Sequence, residues 1–287
     1  MDLDAQIEWM LETTLAGTES PAAPPKLAAA LRHAVFPGGA RVRPKLCLAV
    51  AAACSDDNDL TPALAAGAAI ELLHCASLVH DDLPCFDDAD MRRGRASVHA
   101  GYGEPIAVLA GDALIALSFA VLADHAGAAL PDLVRILGQA TCPPHGIAAG
   151  QAWESETEIR LDDYHHAKTA ALFVASTTAG AASVGADPAR WQPLGEALGA
   201  AYQTADDLRD ALLPASALGK PASQDAKHER PSAVDQYGVR GALKKLSDQI
   251  DSAAESVPNC AGAPALRTLV FAQAKRLAPD SLARRFA

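Results

Sequence analysis

Aromatic residues are scarce in this chain of 287 residues, at 5%, and alternating Val/Ile/Thr-rich runs are rare. Both shortages argue against sheet, whose pleated faces favour β-branched and aromatic side chains. No Cys-x-x-Cys pair occurs among the six cysteines, Cys47, Cys54, Cys75, Cys85, Cys142 and Cys260. They read as buried or half-buried free thiols in a reducing cytosol. Net positive charge is also missing: the balance is −11, which argues against a general nucleic-acid surface. Small phosphorylated ligands remain open, since they need only a local cluster of cations or metal. The N-terminus MDLDAQIEWM is acidic and amphipathic, unlike a signal peptide. No run of about 18 uncharged apolar residues is seen, because Arg43, Glu71, Asp112 or Lys168 interrupts the longest apolar stretches. A membrane-spanning chain is not expected.

What the chain does have is alanine, and half of its residues are apolar. Alanine loses no side-chain entropy in a helix. The expectation is an all-α fold: a single-domain helical bundle over residues 1–287, packed around a central cavity. Thr61-Pro62 opens a helix of about 62–83. Other helices are expected near 42–54, 106–124, 130–141, 145–157, 161–184 and 190–213. A loop at 214–231 carries Gly219, Pro221 and Pro231.

Two carboxylate clusters stand out. The first lies in HDDLPCFDDADMRRGR, residues 80–95, with Asp81, Asp82 and Asp87 followed by Arg92 and Arg93. Carboxylates at the end of an apolar helix are costly unless cations neutralise them. Pro84 disfavours helix at Leu83, so the chain should bend there and return Asp87 toward Asp81. Hard oxygen ligands of this kind suit Mg²⁺, which takes one or two carboxylates plus phosphate oxygens. The arginines beyond offer planar donor forks for phosphate. The second cluster is YQTADDLRDALL, residues 202–213. Asp206 and Asp210 are four apart and share a helix face, with Asp207 beside them. A shared cation would remove their mutual repulsion. Either cluster alone could be a solvated helix end; two of them in one helical chain point to metal-assisted chemistry.

These strings resemble the bacterial trans-prenyl diphosphate synthases, which share the isoprenoid synthase fold. The resemblance is most marked to the geranylgeranyl diphosphate synthases of carotenoid and bacteriochlorophyll pathways. It runs from about residue 26 to 275. It is carried by PGGARVRP (37–44), ELLHCASLVHDDLPCFDDADMRRGR (71–95), LAGDAL (109–114), AGQAWESE (149–156), YHHAKTAALF (164–173), YQTADDLRD (202–210) and LGKPASQDAKHERPS (218–232). The resemblance implies a Mg²⁺-dependent transferase that condenses isopentenyl diphosphate with an allylic diphosphate, with three Mg²⁺ ions per site once substrate is bound. It places metal on Asp81 and Asp87, with Asp82 assisting, and on Asp206, Asp207 and Asp210. Lys168, Lys220 and Arg92 would neutralise the leaving diphosphate. Arg43, His74 and Arg93 would hold isopentenyl diphosphate, with Arg230 supplying a late cation. Thr169 and Gln203 would line the allylic cation. A cytoplasmic homodimer is implied as well.

Departures from the family pattern matter too. The lysine usual in the GGKRxRP string is Ala40 here, and Lys45 is the nearest replacement in sequence. The late lysine is Arg230. Product length should follow from Ala76, five residues before Asp81 and about 7.5 Å along a helix axis. Members that stop at C15 place an aromatic at or beside that position. Ala76 and Ser77 are small, which points to a C20 product, with Leu73, Ile70 and Phe119 limiting further growth; a C15 product is the alternative. A terpene cyclase is a weaker rival, because the second string is DDLRD and aromatics are few. A non-catalytic partner subunit is weaker still, because both clusters are intact.

Overall fold

The structure, a computed structural model, describes residues 2–55, 59–212 and 232–277, the last five as backbone only. Lys220, Arg230 and the whole of the expected 214–231 loop lie outside the described residues. The described chain is helical, as its alanine content predicts. In order come α1 (Leu3–Ala16), α2 (Pro25–Val35), α3 (Val42–Cys54) and α4 (Thr61–Asp81). A two-residue ribbon follows, β1 (Met91–Arg92) paired antiparallel with β2 (Arg95–Ala96). Then come α5 (Val98–Tyr102), α6 (Glu104–His125), α7 (Leu130–Thr141), α8 (Ile147–Ala152), α9 (Leu161–His165), α10 (Ala171–Ser183), α11 (Gln192–Leu212), α12 (Ala233–Glu255) and α13 (Ala263–Leu277).

Helix α4 is the hub, packing against α3, α6 and α10. Asp59 Oδ1 accepts from the Thr61 amide at 3.0 Å, and Pro62 follows in the first turn, where its missing N–H costs nothing. Ile70, Leu72 and Leu73 are fully buried on it, each worth roughly 1.5–3 kcal/mol of hydrophobic stabilisation. The helix ends two residues before the expected boundary, at Asp81. By length and mean hydropathy α4 and α6 could each cross a membrane. The apolar window of α4, however, is 83% buried among other helices.

Three differences from the sequence expectation shape the site. The expected helix over 161–184 is interrupted by a π-helical segment, His166–Ala170. The expected helix over 145–157 shrinks to α8, with a 3₁₀ turn at Trp153–Ser155. The ribbon β1–β2 was not anticipated. All six cysteines are free, and Cys85 and Cys142 are exposed rather than buried.

Candidate active site

The first cluster is built by the end of α4 and the bend after it. The Asp87 amide donates to the Asp81 carbonyl at 2.9 Å, and the Ala89 amide to the Asp82 carbonyl at 3.1 Å. The chain thus folds back at Leu83-Pro84, as the proline predicts, and Asp87 returns beside Asp81. Asp81 is 8% exposed, and its carboxylate accepts from Gln151 Nε2 on α8 at 3.0 Å. Among the described residues no Lys, Arg or His forms an ion pair with it. A buried carboxylate partnered only by a neutral amide is the environment that favours binding a cation. No three His, Cys, Asp or Glu side chains among the described residues form a ready-made cage.

Asp82 behaves differently. It is 2% exposed, and Arg92 grips it through Nε at 3.0 Å and Nη2 at 2.5 Å. Burial raises the Asp82 carboxyl above its usual range, against the lowering effect of Arg92. The ribbon explains how Arg92 gets there. Arg93 (φ 53°) and Gly94 (φ 75°) form its tip, the two positive φ values that a tight type I′ hairpin requires. The tip sends Arg92 to Asp82, while Arg93 lies against Gly39. A Cβ on Gly39 would sit 3.0 Å from Arg93 Nη2.

Arg93 there joins a cationic pocket. Arg43 is 8% exposed, stacked over Phe173 at 4.9 Å and Tyr202 at 5.7 Å. Its Nε has no hydrogen-bond partner among the described residues, and burial lowers its affinity for a proton. The His74 imidazole is held neutral, its pKa well below the ordinary value through burial and the charges of Arg43, Arg93, Arg92 and Arg41. Arg41 itself is committed to structure, bonding Glu8, Glu71 and the Val35 carbonyl. Lys45 does not replace the lysine absent at Ala40, since its ammonium pairs with Asp4 at 2.7 Å. Arg43, His74 and Arg93 thus lie near enough to act on one another electrostatically.

The third part spans α8, the π segment and α11. A Cβ on Gly150 would collide with the Lys168 backbone, so α8 lies directly on the π segment. Lys168 Nζ pairs with Glu154 Oε1, which also accepts from the Tyr164 hydroxyl at 2.6 Å. Thr169 Oγ1 donates to Gln203 Oε1 on α11 at 2.5 Å. A Cβ on Gly195 or Gly199 would likewise collide with backbone at Val174 or Ala170. Missing side chains there let α11 approach closely. Asp206 and Asp210 share a half-buried face of α11, whereas Asp207 is turned inward and 4% exposed. Sequence reasoning missed Gln151 and Glu154; the AGQAWESE string that carries them was the available signal. The cavity of about 580 Å³ between α7 and α10, lined by Arg135, Ile136, His145, His166, Val174 and Thr178 among others, touches neither carboxylate cluster.

The comparisons bear on this arrangement. The family model for polyprenyl synthetase matches residues 24–263. The chain belongs to the polyprenyl synthetase family. Among curated relatives, the geranylgeranyl diphosphate synthase of Cereibacter sphaeroides is 51% identical, covering 99% of this chain and 100% of that one. The enzyme of the same name from Rhodobacter capsulatus is 50% identical, over 96% of each. A solved geranyltransferase from Helicobacter pylori, complexed with magnesium and isoprenyl diphosphate, superposes with a TM-score of 0.79 at 28% identity. It covers 94% of this polyprenyl synthetase and 96% of its own chain.

Proposed function

We propose that this polyprenyl synthetase, acting as one domain, condenses isopentenyl diphosphate with allylic diphosphates and releases mainly a C20 product. The observation that carries the proposal is a pair of complementary deficits. Among the described residues, Asp81 is a buried carboxylate with no cationic side chain paired to it, and Arg43 is a buried guanidinium with no acid paired to it. A metal-bound diphosphate answers the first and an isopentenyl diphosphate the second. The C20 reading is supported by the small, buried Ala76 and Ser77 and by the names of the two half-identical relatives.

In this reading Asp81 and Asp87, with Asp82 assisting, hold Mg²⁺ at the first cluster, and Asp206 with Asp210 at the second. The bound metal supplies charge neutralisation for the departing diphosphate. Lys168 and Arg92 add positive charge to the site, and the family resemblance gives Lys220, outside the described residues, the same role. Arg43 and Arg93 bind the diphosphate of isopentenyl diphosphate, and neutral His74 donates a hydrogen bond to it. Thr169 and Gln203 face the allylic carbon as its bond to oxygen breaks. The double bond of isopentenyl diphosphate attacks that carbon, and the released diphosphate takes up the proton lost. Preorganised charge, rather than a nucleophilic side chain, supplies the catalysis.

The outer face of α6 supports a homodimer. Val108 and Leu109 on it are 43% and 51% exposed, and only 39% of the helix's apolar window is buried. A second copy covering this face would remove Val108 and Leu109 from water, beside the exposed Asp112. Six free thiols fit a reducing cytoplasm. The test is Asp81→Ala with Mg²⁺ titration. Turnover should fall by at least 1,000-fold at ordinary Mg²⁺, and wild-type turnover in the variant would defeat the metal assignment.

A further inference from the structure

A chain of three hydrogen bonds crosses the site from the π segment to the start of α12. Thr169 Oγ1 donates to Gln203 Oε1 at 2.5 Å. Gln203 Nε2 donates to Asp207 Oδ1 at 2.8 Å. Asp207 Oδ2 accepts from the Ala233 amide at 2.7 Å, in a buried contact. Its direction is set by chemistry, not by how the Gln203 amide is drawn. A backbone amide can only donate and an ionised carboxylate can only accept. Asp207 therefore demands the NH₂ end of Gln203, which leaves the carbonyl end for Thr169. The threonine must then point its proton at Gln203. Its oxygen lone pairs are what it can offer elsewhere.

We infer that Asp207 is a positioning residue and not a metal ligand: through Gln203 it turns the Thr169 hydroxyl so that lone pairs, rather than a proton, face the positive allylic carbon. The inference rests on the proposed reading in which Thr169 lines that carbon and the neighbouring carboxylates take metal. It divides the second cluster by role. Asp206 and Asp210 lie on a half-buried face of α11, while Asp207 is 4% exposed and accepts hydrogen bonds from the Gln203 side chain and the Ala233 amide. A hydroxyl dipole pointing the wrong way would oppose charge development in the transition state.

Asp207→Asn tests the relay at constant shape. The Ala233 amide still needs an acceptor, so the new side chain keeps its oxygen there and turns its NH₂ toward Gln203. Gln203 must then rotate, present its carbonyl to that NH₂ and its own NH₂ to Thr169. The expected result is a fall in kcat of at least tenfold. The Mg²⁺ concentration for half activity should stay within twofold of wild type. The thermal shift produced by Mg²⁺ with a non-ionising thiolo-diphosphate analogue should also be unchanged. Asp206→Asn should raise the half-activating Mg²⁺ at least tenfold and shrink that thermal shift. The double variant Asp207→Asn with Gln203→Glu moves the carboxylate one place along the chain and restores an acceptor for both neighbours. It should recover most of the lost kcat.

An Asp207→Asn protein that needs as much extra Mg²⁺ as Asp206→Asn would overturn the inference, as would one with wild-type kcat. A double variant no faster than Asp207→Asn would overturn it too. If Asp206→Asn leaves Mg²⁺ dependence unchanged, the metal reading of the cluster fails instead, and the double-variant rescue alone decides the relay.

Discussion

Gln151 holds Asp81 in place: its Nε2 donates to Asp81 Oδ1 at 3.0 Å and to the Ser77 carbonyl at 3.1 Å. One neutral side chain on α8 thus ties the carboxylate to the helix turn below it. A hydrogen bond to a charged group contributes roughly 1.5–3 kcal/mol. Gln151→Leu should lower kcat/KM by about 10-fold or more, since ~1.4 kcal/mol corresponds to that factor. It should also raise the Mg²⁺ needed for half activity. Steady-state kinetics across a Mg²⁺ series checks both, and unchanged Mg²⁺ dependence would remove Gln151 from the site.

Arg43 supplies the second prediction. It is buried against Phe173 and Tyr202, and its Nε lacks a partner among the described residues. Arg43→Lys keeps the charge and loses the stacked planar fork. KM for isopentenyl diphosphate should rise by about 10-fold or more, while KM for the allylic substrate changes by less than about threefold. Equal changes in both constants would place Arg43 elsewhere.

Product length depends on Ala76, which is 1% exposed on α4. Ala76→Tyr should shorten the main product by one isoprene unit, from C20 to C15. Chromatography of the dephosphorylated products reads this directly. The overpacking should also lower stability by roughly 1–3 kcal/mol, visible in a thermal melt. An unchanged C20 product would mean that Ala76 does not form the floor.

His74 predicts a pH effect on stability. Burial and the charges of Arg43, Arg93, Arg92 and Arg41 depress its folded pKa well below 6.5. The unfolded chain therefore binds a proton at this position before the folded one does. The resulting stability is present in full above about pH 6.5 and is lost as pH falls below it, at no more than about 1.4 kcal/mol per pH unit. Chemical denaturation of wild type and His74→Asn between pH 5 and 8 should give a difference that narrows toward acid. A difference independent of pH would contradict a neutral, depressed imidazole.

Some of this was legible in the sequence and some was not, for reasons that differ by residue. The return of Asp87 to Asp81 follows from Pro84, because the constraint is local. Asp206 and Asp210 share a face for the same reason. The meeting of Arg43, His74 and Arg93 depends on packing between residues distant in sequence, and only the family resemblance brought them together beforehand. The π segment at His166–Ala170 could not be read locally, since the close approach of Gly150 to Lys168 is a tertiary contact. Gln151 escaped notice because an uncharged side chain in an alanine-rich helix carries no signal of charge or periodicity. Asp207 looked like its neighbours until its partner at Ala233, 26 residues on, was known.

The central claim is head-to-tail elongation of an allylic diphosphate. The most direct test incubates the pure protein with Mg²⁺, labelled isopentenyl diphosphate and, separately, C5, C10 or C15 allylic diphosphates. The account predicts label in a linear C20 diphosphate from each starter, with no product when isopentenyl diphosphate is left out. A cyclic hydrocarbon formed from the allylic diphosphate alone, or no incorporation of label, would contradict it.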